Sequence, residues 1–322
     1  MKVLVTGGAG FIGSHVVDGA LRAGHEVVVL DDLSSGRREN LDPRAKLYVL
    51  DIRSKEAAEL ILDEQPEAMF HLAAQMDVRR SCADPRFDAD VNLGGLLNLM
   101  EASVRAGSVK RVVFSSTGGA IYGEQDHFPA DETHPTRPCS PYGVSKAGSE
   151  LYLGYYRAQF GLSYAALRYA NVYGPRQNPH GEAGVVAIFC ERLLSGRECV
   201  IYGDGGQTRD FVFVGDVVRA NLLALESDYV GALNVGTGVE TDVNALYAAL
   251  ARAVGTDRPA RHEPQKPGEQ RRSVITPALA KRILGFAPEV SLDEGIAQTV
   301  AFFRARQAAL SESELLSSTL IQ

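Results

Sequence analysis

Tryptophan is absent from this chain of 322 residues, and cysteine is scarce at four. Cys82, Cys139, Cys190 and Cys199 form no C-x-x-C pair, and a chain of this length needs no covalent staples, so the thiols read as reduced residues of a cytoplasmic protein. The seven histidines contain no H-x-x-x-H spacing, and no metal site is expected. No apolar run approaches the roughly 20 residues a membrane helix requires, and the N-terminus enters a strand pattern at once, so no signal peptide is expected. Positive charge is in deficit: the formal net charge of −7 argues against nucleic acid or an anionic membrane as a partner. What is plentiful is apolar surface, 45% of residues, enough for two lobes or one large α/β unit.

Strand and helix patterns alternate through the first half. Lys2–Thr6, Glu26–Leu30, Lys46–Leu50, Ala68–His71, Arg111–Ser115 and Ser163–Arg168 read as strands. Lys55–Glu64, a long helix within Pro85–Gly107, and Pro141–Phe160 read as helices between them. Such alternation predicts an α/β fold, a Rossmann-type doubly wound parallel sheet covered on both faces. From Asn171 onward glycine and proline are frequent and strand-like pieces short (Cys199–Tyr202, Arg209–Val214), which predicts a smaller, interleaved C-terminal lobe. The expected partition is residues 1–173 for the nucleotide-binding domain, with 209–235 returning to it, 174–208 and 236–305 for a substrate lobe, and 306–322 as a tail.

The first strand runs into Gly7-Gly-Ala-Gly10-Phe-Ile-Gly13, and a helical pattern follows. Glycines here let a pyrophosphate touch backbone N–H groups at a helix N-terminus. The second strand ends in Asp31, 18 residues after Gly13. A carboxylate there accepts hydrogen bonds from both ribose hydroxyls and repels a 2′-phosphate, which favours NAD; Arg37 and Arg38 keep NADP as the alternative. Ligands of doubly wound sheets lie beyond the carboxyl ends of strands, so Asp31-Asp32, Asp51-Ile52, Leu72–Gln75, Ser116–Gly119 and Tyr169–Asn171 should converge on the cofactor. Tyr142 and Lys146, four apart on a helix, share one face. An ammonium beside a phenol favours the phenolate, which predicts a base able to take a proton from an alcohol. Ser116 or Thr117, after the preceding strand, can reach the same alcohol.

Taken in order, Thr6-Gly-Gly-Ala-Gly-Phe-Ile-Gly13, Leu30-Asp31, Asp51-Ile52, His71-Leu-Ala-Ala74, Phe114-Ser-Ser-Thr-Gly-Gly-Ala-Ile-Tyr-Gly123, Ser140-Pro-Tyr-Gly-Val-Ser-Lys146, Leu167-Arg-Tyr-Ala-Asn171 and Arg209-Asp210 resemble the extended short-chain dehydrogenases/reductases, in their nucleotide-sugar epimerase and dehydratase branch. The resemblance covers roughly residues 1–300. It implies an NAD-dependent enzyme that inverts C4 of UDP-hexoses through a transient 4-keto sugar. By the same likeness the cofactor is held by Gly7, Gly10, Phe11, Ile12, Gly13, Asp31, Asp32, Asp51, Ile52, Leu72, Ala73, Ala74, Asn92, Tyr142, Lys146 and Tyr169. Thr117, with Ser116 as the second choice, holds the 4-oxygen while Tyr142 moves its proton. Asn171, Arg209, Lys266, Glu269 and Ser273 face the UDP-sugar. Lys266-Pro-Gly-Glu269 stands where the family often has Arg-Pro-Gly-Asp, and lysine lacks the bidentate fork.

Rival readings make different demands. A 4,6-dehydratase needs an acid/base pair after the threonine, whereas Gly118-Gly119 follow Thr117 and cannot transfer a proton. A uronic-acid 4-epimerase or decarboxylase should set a cation against a C6 carboxylate; Asn178 stands at the matching position, although Arg176 is near. A non-catalytic NAD-sensing protein tends to lose the Tyr-Lys pair, which this chain keeps. The resemblance further implies a homodimer built on two helices, with apolar stripes Leu93, Leu96, Leu97, Met100 and Leu151, Tyr152, Tyr155, Tyr156. It also places Ser273 beside the sugar's C2 substituent, where a small residue leaves room for an acetamido group.

Overall fold

The computed structural model describes residues 1–179, 184–265 and 270–319, with side chains as far as residue 309. In the first half the sequence periodicity is realised closely. β1 (Lys2–Thr6), α1 (Phe11–Arg22), β2 (Glu26–Asp31), β3 (Lys46–Val49), α2 (Lys55–Glu64) and β4 (Ala68–His71) precede two short helices, α3 (Val78–Ala83) and α4 (Pro85–Ala89). A single π-helical turn, Asp90–Gly94, then leads into α5 (Gly95–Ala106) where one regular helix was expected. β5 (Arg111–Thr117), a one-turn α6 (Gly118–Ile121), α7 (Pro141–Phe160) and β6 (Ser163–Tyr169) complete this half. The second half holds β7 (Asn171–Tyr173), α8 (Val185–Leu194), β8 (Val200–Tyr202), β9 (Thr208–Phe213), α9 (Val214–Glu226), β10 (Gly231–Val235), β11 (Glu240–Asp242), α10 (Val243–Val254), β12 (Arg261–Glu263), β13 (Arg272–Ser273), α11 (Ala278–Leu284) and α12 (Leu292–Thr319).

Seven parallel strands form the main sheet in the order β10-β6-β5-β4-β1-β2-β3. Side chains alternate between its faces, as the period of two requires. Val3, Val5, Val27, Val29, Phe70, Val113 and Leu167 enter one core with residues of α1, α9 and α11. Leu4, Val28, Leu30, Met69, Val112, Phe114 and Ala166 enter the other, under α2, α5 and α7. The helix α7 is bounded by its own chemistry. Ser140 Oγ accepts the Gly143 N–H at 3.2 Å, Pro141 occupies the first turn, and Gly161 closes the end at φ +74°.

The second half departs from expectation in three places. Of residues 209–235, α9 and β10 return to the large sheet, and α11, expected in the smaller lobe, also packs into its first core. β9, expected to join them, pairs instead with β7, β11 and β13 in a sheet of its own, because β7 leaves the line of β6 and lies alongside it. A third core, with Tyr173, Phe189, Leu193, Phe211, Phe213, Leu246, Leu250, Ile296 and Phe303, is separate from the first two. The stretch from residue 306 to 319, read as a tail, continues α12.

One ion pair lies inside this framework. Glu150 of α7 and Arg168 of β6 meet at 2.6 Å with side chains 11% and 8% exposed. Arg168 Nε donates to Glu150 Oε1 at 3.0 Å, and its Nη1 donates to Tyr122 Oη at 3.0 Å. Removing one partner strands the other charge in the interior. Arg168→Met should therefore lower the unfolding free energy by about 3–5 kcal/mol in urea at neutral pH, and adding Glu150→Leu should recover part of the loss. A single variant as stable as the parent would show that the pair is dispensable.

Candidate active site

The turn after β1 is shaped for a phosphate. Gly7 has φ +68°, and a Cβ there would lie 2.6 Å from the Ala73 nitrogen. At Gly13 a Cβ would collide with the Gly7 carbonyl oxygen. Gly10 caps α1 with no side-chain hydrogen bond, so the backbone N–H groups of Phe11, Ile12 and Gly13 open the helix facing outward from the strand end. Asp31, 6% exposed, accepts N–H bonds from Ala9 (2.9 Å, Oδ2) and Leu33 (2.8 Å, Oδ1). Burial raises its pKa while the two N–H donors oppose the shift. Each carboxylate oxygen keeps a lone pair for a ribose hydroxyl. These residues fit an adenosine diphosphate moiety.

Neighbouring loops are drawn to the same edge. Thr6 Oγ1 accepts the Ala73 N–H at 3.2 Å and is bonded to His71 Nδ1 at 2.8 Å, and the Leu72 N–H donates to the Thr6 carbonyl. Ala74 follows, half-buried. Asp32, exposed, accepts bonds from Ser34. Asp51 is gripped by Arg53, whose guanidinium holds its carboxyl below the usual carboxylate range. Ile52 is buried against Gly95. Asn92 lies on the π-turn, where the extra residue turns it inward. Its Oδ1 accepts the Gln75 N–H at 2.9 Å and its Nδ2 donates to the Gln75 carbonyl at 3.0 Å, so it shapes the cofactor loop by holding its backbone.

The end of β5 separates the two hydroxyls that the sequence left as alternatives. Ser116 shares the strand face of Val112 and Phe114, beneath α7, and its Oγ donates to Glu150 Oε1 at 2.6 Å. Thr117 faces the other way, and its Oγ1 accepts the Ala120 N–H at 3.2 Å as the cap of α6. A Cβ on Gly119 would lie 3.9 Å from Thr117 Oγ1 and 3.8 Å from Asn171 Oδ1, so these two groups border one space. Tyr169, on the opposite face of β6 from Arg168, is buried with its hydroxyl bonded to Asn221 of α9 at 3.0 Å. That places its hydroxyl in the core.

Tyr142 and Lys146 share one side of α7. Lys146 Nζ donates to the Ser115 carbonyl oxygen at 2.8 Å and lies 5.9 Å from the centre of the Tyr142 ring. The electrostatics correct the expectation from sequence. Burial, reinforced by the Asp88 carboxylate, pushes the Tyr142 phenol up rather than down. Burial brings the Lys146 ammonium down to about 8, against the charges of Asp88 and Glu150. Desolvation outweighs the attraction between the two groups, so the chain alone rests as phenol and ammonium.

Arg209, expected to face the UDP-sugar, is half-buried on β9 and donates to the Thr208 carbonyl at 2.8 Å. Ser273 pairs with it across the β13–β9 ladder and is 4% exposed. Lys266 and Glu269 lie outside the described residues. Arg176 is bound to Asp18 of α1 at 2.8 Å. Asp88, Glu150 and Arg168, which with Gln75 hold these pieces together, were not singled out from the sequence. Glu150 could have been found, since positions 142, 146 and 150 share a helix face.

The model of the NAD-dependent epimerase/dehydratase family matches residues 3–236. A UDP-glucose 4-epimerase of Mycolicibacterium smegmatis is 50% identical over 311 residues, spanning 94% of this chain and 99% of that protein. The structure of a UDP-glucose 4-epimerase from Thermotoga maritima with UDP-glucose superposes with a TM-score of 0.93 at 50% identity, covering 95% of this chain and 100% of the other. A Thermus thermophilus UDP-glucose 4-epimerase in complex with NAD gives a TM-score of 0.89 at 48% identity over 94% and 99% of the two chains. The chain belongs to the NAD-dependent epimerase/dehydratase family.

Proposed function

We propose that the chain is an NAD-dependent isomerase that epimerises UDP-hexoses at C4, interconverting UDP-glucose and UDP-galactose. The observation that carries the reading is that Lys146, one helical turn from Tyr142, is bonded to the Ser115 carbonyl at the end of β5, the strand that Thr117 closes, beside the loop that the family uses for NAD. Bound NAD supplies an acceptor for the C4 hydrogen and later returns it. The positive charge that bound NAD would bring beside Tyr142 favours its phenolate over the resting phenol, and that phenolate takes the proton of the 4-hydroxyl, then gives it back to the opposite epimer. Lys146, anchored on the Ser115 carbonyl, presents positive charge to that proton transfer, and Thr117 steadies the 4-oxygen. Ser116 supports the strand from the other face through Glu150. Asn171 and Arg209 hold the UDP-sugar, Arg209 at its diphosphate, with Lys266 and Glu269 assigned to the same ligand. Residues 174–208 and 236–305, which carry most of the third core, serve as the substrate lobe. Arg176 is engaged with Asp18, which favours an uncharged hexose over a uronic acid.

Four cysteines without disulfides suit a cytoplasmic setting. For assembly we propose a homodimer through the outer face of α7 and the adjoining α5. Leu96, Met100 and Tyr156, read from sequence as part of the apolar stripes, are core residues. Val144, Leu151, Tyr152 and Tyr155 are 42–77% exposed, and a second copy would cover them. Light scattering at micromolar concentration should give twice the chain mass; a monomer throughout a dilution series would refute the dimer.

Purified protein should convert UDP-glucose to UDP-galactose without added NAD, because the net redox change is zero and the cofactor need not leave. Tyr142→Phe keeps the ring packing and should lower turnover by about 10²–10⁴-fold while NAD is retained. Epimerisation at the parent rate would remove Tyr142 from the chemistry.

Ser273 is proposed to admit N-acetylated hexoses. Its neighbours are engaged elsewhere: Arg271 with Asp204 at 2.7 Å, and Arg272 with Glu240 while covering the Phe128 ring at 3.7 Å. Ser273 itself is the small, buried member of the three. A packed wall excludes volume effectively. Ser273→Tyr should cut epimerisation of UDP-N-acetylglucosamine by at least about tenfold and spare UDP-glucose. Equal loss of both activities, or no change in either, would show that Ser273 is not the gate.

A further inference from the structure

Asp88 has no part in the reaction described above, yet it is a fully buried carboxylate at the centre of three bonds. Its Oδ1 accepts from Gln75 Nε2 and from Asn92 Nδ2, both at 3.0 Å, and its Oδ2 accepts from Ser145 Oγ at 2.7 Å. The donors come from the loop after β4, the π-turn and α7. None of them is charged. No cation among the described residues bonds this carboxylate, and in so dry a place an unmatched charge acts strongly on its surroundings.

Lys146 is the converse case, a buried ammonium bonded to a neutral carbonyl. The groups around it can be taken element by element. From β4 comes His71, which burial pushes down to about 3, so that it is uncharged at neutral pH. From β5 come the Ser115 carbonyl and the Phe114 ring, 4.7 Å from Nζ. From α7 come Tyr142, which burial keeps as a phenol, and Glu150, whose charge is matched by Arg168. From α4 comes Asp88, whose charge acts on both Lys146 and Tyr142.

We propose that Asp88 is the counter-charge of Lys146 and the clamp that sets α7 against the cofactor loop, a positioning residue for the Tyr142–Lys146 pair. The assignment rests on the reading of that pair as the reacting groups. Geometrically, Asp88 joins Ser145, between Tyr142 and Lys146, to Gln75 and Asn92 on the cofactor side. Electrostatically, its charge favours the Lys146 ammonium and opposes the lowering by burial. A pure clamp could be replaced by a neutral amide with little electrical consequence; a counter-charge could not.

The test uses the whole chain without substrate. It contains seven lysines, so selective labelling of lysine side chains yields a small set of NMR signals, and Lys146→Arg identifies the one required. The parent Lys146 should titrate near 8. Asp88→Asn removes the anion, disfavours the ammonium and should lower the midpoint by about one pH unit. Ser145→Ala keeps the charge but withdraws one donor, which leaves the anion less compensated and should raise the midpoint by about 0.3 unit. Should Asp88→Asn not fold, Ser145→Ala decides alone. An unmoved Lys146 midpoint in the folded variants would overturn the counter-charge, whatever happens to thermal stability. Because no UDP-sugar enters the titration, a failed epimerase assay would leave its outcome readable.

Discussion

The attachment of α7 to the end of β5 is the constraint on which the site depends. Two hydrogen bonds make it: Lys146 Nζ to the Ser115 carbonyl at 2.8 Å, and Ser116 Oγ to Glu150 at 2.6 Å. They grip adjacent residues of one strand from successive turns of one helix. With the helix so held, Tyr142 comes to the same strand end as Thr117, and α7 cannot shift without exposing or unpairing a buried charge. Arg168 extends the grip to β6 and, through Tyr122, to Asn234 of β10. The far edge of the sheet is thereby tied to the proposed reacting groups.

Burial gives the pair its chemistry as well as its position. In water an ammonium one helical turn from a phenol would favour the phenolate; in this interior the loss of hydration is the larger effect on both groups. The phenol is held firmly protonated, and the ammonium is brought down to about 8, where changes in nearby charge move it across the physiological range. A site of this kind is quiet when empty and responsive when a charged ligand arrives. The buried anion of Asp88 and the closed pair Glu150–Arg168 set the level from which it responds.

Membership of the NAD-dependent epimerase/dehydratase family accounts for the first 236 residues by the family match, and for nearly the whole chain by the likeness to solved structures. The residues proposed to decide the substrate lie both inside and beyond that match. Ser273 reaches its place only because β13 adds to β9, so a residue late in the chain stands opposite Arg209. Arg176, near the sugar in sequence terms, turns instead to α1 and Asp18.

By itself the sequence determined the parallel sheet, the phosphate-binding turn and the Tyr142–Lys146 face, because each is a local pattern. Alternation with period two or 3.6 and glycines at set intervals act within a few residues and need no knowledge of what lies opposite. The tertiary structure decided which hydroxyl is which. Ser116 and Thr117 are adjacent in sequence, and only the packing of α7 over one face of β5 directs Ser116 to Glu150 and leaves Thr117 beside Asn171. It also decided the sheet to which β9 belongs, the retreat of the Tyr169 hydroxyl to Asn221, and the role of Asp88. The direction of the pKa shifts followed from the same source. Burial and long-range partners are properties of the assembled layers, and no spacing along the chain encodes how deeply a charge will be buried.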